Sequence, residues 1–215
     1  MLSILANGGV MVWFILISSA VGVALFAERF IHYHRAQISL HDFLKGIRNC
    51  IRRNNYVEAV SICNDAPGPA AQIARAAILR YDRNRSEIQE AVEATAIQEE
   101  RRLEKNLPIL WTIVQITPLM GLMGTVMGMM RAFEAIQKQE KLITAADLAG
   151  GVWEALIATA FGLAVAIVAY VAHNFLVSRK NEMIRDMELC ATELMNTFAE
   201  LERERRKDEF DLSES

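Results

Sequence analysis

The sequence predicts an all-α integral membrane protein with three transmembrane helices and a helical cytoplasmic domain. Three windows carry almost no charge: residues 1–27 and 106–130 contain no Asp, Glu, Lys, Arg or His, and residues 155–177 contain only His173. A helix needs about 20 apolar residues to cross the hydrocarbon core of a bilayer, so each window is long enough to span it. Charged residues are dense elsewhere in the 215-residue chain, and no segment has the alternating pattern of a strand.

The first window could instead be a signal peptide that ends near the small residues "SSAVGVA". A signal peptide has a basic n-region, whereas the first positive charge here is Arg29, after the apolar stretch. We therefore expect a retained first span with the N-terminus outside the cell membrane.

The distribution of Lys and Arg orients the remaining segments. Residues 29–107 carry 13 of them, residues 178–215 carry 7, and residues 131–149 carry 3. Because positive charge stays on the cytoplasmic side, the long loop and the tail should be cytoplasmic. The predicted order is a first transmembrane helix (1–28), a cytoplasmic helical loop (29–107), a second transmembrane helix (108–130), a short periplasmic loop (131–149), a third transmembrane helix (151–177) and a cytoplasmic helical tail (178–215).

The cysteines and the net charge narrow the classes of function. Cys50, Cys63 and Cys190 fall in segments predicted to face a reducing compartment, and their spacing is not that of a metal site. We expect free thiols, no metal and no other cofactor. The net charge of −3, with no basic stripe, argues against nucleic acid as a partner.

Turn and cap signals divide the long loop into helices. "NN" at Asn54–Asn55 and "APGP" at Ala66–Pro69 predict breaks. Ser86 and Gln89 have the spacing of a capping box, which predicts the start of a long helix that continues through Pro108 into the second span.

An apolar stripe marks the cytoplasmic tail, with alternating steps of four and three residues. It consists of Met183, Met187, Cys190, Leu194, Phe198 and Leu201. Two interpretations stay open: this helix packs on its own cytoplasmic domain, or it continues the third span as a long helix that associates with copies of itself.

Small residues form a stripe on one face of each of the last two spans. These residues are Thr117, Gly121, Gly124 and Gly128 in the second span, and Gly151, Ala155, Ala158, Gly162 and Ala166 in the third. In lipid, such stripes allow two helix backbones to approach closely. Pro118 is compatible with a span because neighbouring groups can satisfy the carbonyl it frees.

Two threonines border these stripes, Thr125 in the second span and Thr159 in the third. Each hydroxyl either bonds back to its own helix or faces a polar seam in an oligomer, where it hydrogen-bonds water or a partner's ionisable group. Glu154 is the one carboxylate at the edge of the third span, where it either reaches the interface or serves the conduction of an ion. His173 and the pair Glu28–Arg29 are expected to anchor the spans at the interface.

The inventory of ionisable groups indicates a partner. Threonine does not ionise near neutral pH, and no Asp, Glu, Lys or His lies in the middle of a span. A proton relay normally uses such groups. If this chain moves protons, a second chain must supply the carboxylate.

With these residues in view, the chain resembles the MotA/TolQ/ExbB proton-channel family. The family pattern is close to "APLLGLLGTVxGM…F" followed by "GIxxALxxTAxGLxxAIPAxxxxNxF". Here the two segments read "TPLMGLMGTVMGMMRAF" (residues 117–133) and "GVWEALIATAFGLAVAIVAYVAHNF" (residues 151–175). With the preceding "EERRLEKNLPIL", the resemblance covers residues 95–178, and the three-span layout is similar to the ExbB and TolQ branch.

The resemblance implies a pentamer of this subunit around a central pore, which holds a dimer of a one-span ExbD- or TolR-like protein. That partner would supply the transmembrane aspartate, and Thr125, Thr159 and Glu154 correspond to the family's pore threonines and polar glutamate. Such a complex sits in the bacterial inner membrane and uses the proton gradient to energise TonB-dependent transport through a TonB-like protein. The alternative is Tol–Pal envelope maintenance through a TolA-like protein, or another proton-driven motor.

Two departures and two competing classes accompany this resemblance. Thr117 replaces the family alanine and adds a hydroxyl that faces the pore or bonds to backbone, and Val168 replaces a family proline, which predicts a straighter third span.

A membrane scaffold that conducts nothing would need no mid-membrane carboxylate. An intramembrane enzyme finds little support, because the spans contain no Ser–His pair and no metal-ligand spacing.

Overall fold

The computed structural model describes residues 9–138 and 145–214, and all regular secondary structure in these residues is α-helical. The helices are α1 (Gly9–Ala36), α2 (Leu40–Arg52), α3 (Tyr56–Asp65), α4 (Pro69–Ile78), α5 (Arg85–Glu104), α6 (Leu107–Lys138) and α7 (Ala145–Glu214). Within the described residues, three ranges each contain a helix that is long and apolar enough to cross a membrane: Val10–Arg52, Arg85–Glu134 and Ala149–Glu204. The prediction of an all-helical chain with three candidate spans is therefore confirmed.

The chain divides into two compact units. The first unit comprises Met1–Phe30 and Asn106–Val177, and the second comprises Ile31–Lys105 and Ser178–Ser215. The second unit thus contains both predicted polar segments, which are the loop after the first span and the tail after the third.

In the first unit, α1 packs against α6 and α7. Val12 of α1 is buried with Ile157 and Ala158 of α7. A Cβ atom on Gly22 would lie 3.8 Å from side-chain atoms of Leu110 and Ile113 in α6, an ordinary van der Waals distance. Large apolar side chains on the outer faces of these helices stay exposed, as expected for surfaces that meet lipid.

The second unit is a bundle in which α2 contacts α3, α3 contacts α4 and α4 contacts α5. Helix α4 lies at its centre, with Pro69, Ala70, Ala71, Ile73, Ala74, Ala76, Ala77 and Ile78 all buried. The Tyr33 hydroxyl donates a hydrogen bond of 2.6 Å to the Leu103 carbonyl. The ammonium of Lys180 pairs with Glu104 at 2.8 Å.

The apolar stripe of α7 packs inside this second unit. Met183, Met187, Cys190, Leu194 and Phe198 are buried, and the Cys190 thiol donates to the Ala70 carbonyl at 3.4 Å. The first interpretation of the stripe accounts for this burial, because these side chains already pack within their own chain. Helix α7 is also one continuous helix as far as Glu214.

The predicted link between α5 and the second span is wrong. Helix α5 ends at Glu104 and α6 begins at Leu107, because Asn106 adopts a left-handed conformation with φ of 68°. Asparagine tolerates this region better than most residues, and its amide donates to Glu28 at 2.8 Å. Pro108 therefore lies in the first turn of α6, where its missing N–H breaks no hydrogen bond.

The predicted capping box is also wrong. Asn84 occupies the N-cap of α5, without a side-chain cap bond, and the Gln89 amide donates to Glu93 at 2.8 Å instead. Because α5 begins at Arg85, Ser86 already lies inside the helix. It is therefore one residue past the first helical position and cannot be the cap.

The other two turn predictions are confirmed. Asn54 has φ of 58°, and the Asn55 side chain accepts a 3.3 Å bond from the Glu58 N–H at the start of α3. Gly68 has φ of 100°, and Pro69 opens α4. Helix α6 ends at Lys138 and α7 begins at Ala145, both outside the predicted transmembrane ranges. These helix ends do not mark the membrane surface, so the predicted limits of the second and third spans stay predictions.

Candidate functional site: the α6–α7 seam

The two small-residue stripes face each other within the first unit. We call this contact the α6–α7 seam; it comprises Thr117, Gly121, Gly124, Gly128 and Ala132 of α6, and Gly151, Ala155, Ala158, Thr159 and Gly162 of α7. Contacts run from Ala132 with Gly151 at one end to Thr117 with Gly162 at the other. Rising numbers on α7 meet falling numbers on α6, so the helices are antiparallel.

The seam is tight along its whole length. A Cβ atom on Gly151 would lie 2.6 Å from Ala132 Cβ, and one on Gly162 would lie 2.6 Å from the Thr117 carbonyl oxygen. Between them, a Cβ atom on Gly128 would lie 3.0 Å from Ala155 Cβ. Any larger side chain would push the backbones apart. This close approach through small residues is a common packing mode of helices in lipid.

Thr117 is fully buried at one end of the seam. Its hydroxyl donates to the Ile113 carbonyl at 2.7 Å, a bond within its own helix. The carbonyl that Pro118 leaves without an N–H partner is that of Val114, so this hydroxyl does not satisfy it.

The two pore threonine candidates use their protons differently. Thr125 is half-buried and donates to the Leu122 carbonyl of its own helix at 2.6 Å. Thr159 donates across the seam to the Gly121 carbonyl at 3.0 Å. A hydroxyl that has given its proton keeps two lone pairs as acceptors. Both side chains can therefore accept a hydrogen bond from water or from a protonated carboxyl group.

Glu154 forms an ion pair with Arg131 at the end of the seam nearest Ala132 and Gly151. The guanidinium Nη1 donates to Glu154 Oε1, which joins α6 to α7. Arg131 is a residue that the sequence interpretation missed. The available signal was its place as the first positive charge after the second uncharged window, but pairing it with Glu154 requires the helix register.

The remaining candidates of the sequence analysis lie on α1 and α7. His173 has its ring centroid 5.0 Å from that of Trp111, and its buried Nδ1 has no hydrogen-bond partner among the described residues. The Arg29 side chain is buried and pairs with Glu28 at 2.8 Å. Ala166 and Gly162 are buried on α7, whereas Val168 is exposed.

The structure therefore defines an all-helical protein with three candidate membrane spans. Its second and third long helices, α6 and α7, pack through small residues, with Thr159 in the contact and Thr125 on the same stretch of α6. Among the described residues, no group of three or more His, Cys, Asp or Glu side chains could hold a metal ion.

Comparison with known proteins places this architecture in a family. The model of the MotA/TolQ/ExbB proton channel family matches residues 65–189. A putative biopolymer transport protein ExbB homolog of Methanothermobacter thermautotrophicus is 30% identical over 190 residues, which cover 87% of this chain and 67% of the relative. ExbB of Neisseria gonorrhoeae is 30% identical over 193 residues, covering 83% of this chain and 86% of the relative. TolQ of Haemophilus influenzae is 45% identical over 84 residues, covering 39% of this chain and 36% of the relative.

The chain belongs to the MotA/TolQ/ExbB proton channel family, in its ExbB/TolQ-like branch. The matched range includes α6 and the seam portion of α7, so both elements of the candidate site fall within it.

Proposed function

We propose that this chain is the channel subunit of an ExbB–ExbD-like motor in the bacterial inner membrane. In this proposal it uses the proton motive force to energise TonB-dependent transport. The observation that carries the proposal is the pair of hydroxyl acceptors at the α6–α7 seam, Thr159 within it and Thr125 on the same stretch of α6. The seam's own carboxylate, Glu154, is already paired with Arg131 at one end. The seam is then one half of a proton pathway, and the other half is a carboxyl group on a partner.

The hydrogen bonds of the two threonines suit that role. Because each hydroxyl proton is donated to a backbone carbonyl, each oxygen is oriented as an acceptor. An aspartate that carries a proton can donate to such an oxygen, whereas an ionised aspartate cannot. The seam would thus stabilise the partner's carboxyl in its neutral form, which is the form that crosses an apolar region at lower cost.

The assembly follows from this division of roles. Five copies of this chain would surround two copies of a one-span ExbD- or TolR-like protein, whose transmembrane Asp carries the proton. The loop and tail would lie in the cytoplasm, as the Lys and Arg distribution predicts. A membrane potential of 100 mV supplies about 2.3 kcal/mol per proton, so several protons could drive motion of the inner subunit.

A TolQ-like role in the Tol–Pal system is the second candidate. It is favoured by the higher identity to TolQ of Haemophilus influenzae, 45% over 84 residues, whereas the ExbB similarity extends over most of the chain. A non-conducting scaffold would use the seam for packing alone. We propose a channel subunit and not an enzyme because the family model that matches the chain is that of a proton channel family.

Native mass spectrometry of the detergent-extracted complex tests the proposal. The chain is co-expressed with any one-span protein that its gene neighbourhood is found to encode. Five copies of this chain with two of the partner are expected, and the complex in liposomes should conduct protons. A stable assembly that never captures a carboxylate-bearing partner would favour the scaffold.

A further inference from the structure

The ion pair between Arg131 and Glu154 lies at a point where the register of α6 and α7 is closely constrained. On one side of the pair, a Cβ atom on Gly128 would lie 3.0 Å from Ala155 Cβ, and on the other side a Cβ atom on Gly151 would lie 2.6 Å from Ala132 Cβ. The two backbones are therefore closely apposed on both sides of the ion pair. The two charged side chains are therefore held opposite each other by the seam.

The two members of the pair differ in exposure. The Glu154 side chain is 23% exposed and the Arg131 side chain 43% exposed, so Glu154 is the more enclosed side chain of the pair. Glu154 is also the one carboxylate between residues 150 and 177. It is five residues from Thr159, or about 7.5 Å along the helix axis.

A carboxylate at this position needs a partner. Without one it would turn toward the nearest water, because an unpaired charge at the edge of the apolar region is costly. Arg131 removes that tendency, since a guanidinium holds a carboxylate in a defined geometry. The direction of the Glu154 side chain thus depends on a residue of the neighbouring helix.

We propose that Arg131 is a positioning residue of the proton pathway, which holds the Glu154 carboxylate in place at the end of the seam. This inference rests on the proposed function, because it assigns Arg131 a role in conduction through the same seam. The hydroxyls of Thr125 and Thr159 donate to backbone carbonyls, whereas the Arg131 guanidinium donates to Glu154, so Arg131 acts through Glu154.

Charge reversal separates positioning from simple packing. The variants Arg131→Glu and Glu154→Arg each place like charges together, and both are expected to assemble poorly. The double variant restores the ion pair but moves the carboxylate from α7 to α6. We expect it to regain assembly and remain non-conducting, because the carboxylate no longer projects from the helix that carries Thr159.

Conservative variants complete the test, with the complex and its one-span partner in liposomes that contain a pH-sensitive dye. Arg131→Gln is expected to assemble and to lower proton flux by at least about tenfold, because small misplacements of a reacting group are costly. Arg131→Lys, which keeps the charge, should retain more flux than Arg131→Gln. Arg83→Gln, the same change at an exposed arginine between α4 and α5, is the matched control and should conduct normally.

Three outcomes would overturn the inference. If the charge swap restores both assembly and flux, the pair is only structural. If Arg131→Gln conducts like the unaltered complex, the carboxylate needs no positioning. If the unaltered complex itself conducts no protons, the proposed function fails and this inference fails with it. In the first two outcomes the unaltered complex conducts, so only the inference about Arg131 fails.

Discussion

The Cβ atom of Ala158 lies 2.5 Å from the position that a Cβ atom on Gly124 would occupy. Ala158 is attached directly to the α7 backbone, so Gly124→Ala can be accommodated only if the helices separate. We expect a loss of about 1–3 kcal/mol, the usual cost of overpacking. The measurement is thermal unfolding in detergent.

Gly150→Ala is the matched control for this prediction, since a Cβ atom on Gly150 would meet nothing within 4 Å. That change should leave the melting temperature unchanged or raise it, because alanine favours a helix over glycine by about 0.5–1 kcal/mol. Equal effects of the two changes would contradict the close packing of the seam.

Removal of the threonine hydroxyls should abolish proton conduction while the complex still assembles. Thr125→Val and Thr159→Val keep the branched shape but lose the acceptor oxygen. Thr159→Val also removes the 3.0 Å bond to the Gly121 carbonyl. Proton flux into dye-loaded liposomes is the measurement.

Thr159→Ser is the matched control, because it keeps the hydroxyl and loses only a methyl group. It should conduct far better than Thr159→Val. Full proton-driven activity in both valine variants would exclude the pore role of these hydroxyls.

Gly68→Ala should destabilise the second unit. A Cβ atom on Gly68 would lie 2.2 Å from the Ala36 carbonyl oxygen, and the residue has φ of 100°. Left-handed strain alone costs about 1–3 kcal/mol, and the backbone contact adds to it. Chemical unfolding followed by circular dichroism measures the change.

Gly46→Ala in α2 serves as the comparison, since a Cβ atom there would meet nothing within 4 Å. It should be neutral or stabilising by about 0.5–1 kcal/mol. A Gly68→Ala variant as stable as Gly46→Ala would show that the turn adapts easily.

The buried thiols of Cys63 and Cys190 should react slowly with maleimide near neutral pH. Burial raises the pKa of Cys63 to about 11. The pKa of Cys190 is raised to about 12, mainly by burial and to a smaller extent by the nearby Cys63. The thiolate is the reactive form, so labelling should be slow until the protein unfolds. Ser61→Cys, at an exposed position of α3, should label quickly in the folded protein.

The same pKa shifts predict an effect of alkaline pH on stability. Thiols in the unfolded chain ionise near 9, below the folded pKa values, so the unfolded state loses protons first. The free energy of unfolding should therefore fall as the pH rises from about 9 toward 12. A Cys63→Ala, Cys190→Ala double variant should show a shallower fall, and an identical slope would contradict the assignment.

The sequence by itself determined the class of protein and most residues of the seam, although Ala132 was not among the predicted stripe residues and the predicted Ala166 is not among the seam contacts. Three uncharged windows identify the spans because the bilayer sets a minimum apolar length. The steps of four and three at Gly121, Gly124 and Gly128 identify a helix face because the helical period is known. The helix breaks at "NN" and "APGP" could also be predicted from the sequence, because asparagine and glycine tolerate positive φ.

Only the tertiary structure decided which groups meet. Thr159 donates to Gly121, and Arg131 pairs with Glu154. Both contacts depend on the register between two helices. The break at Asn106 was missed because a helix-compatible pattern continues through it, while Glu28 of another helix binds its side chain. Local patterns report the period and the polarity of one helix, whereas contacts between helices depend on the packing of both.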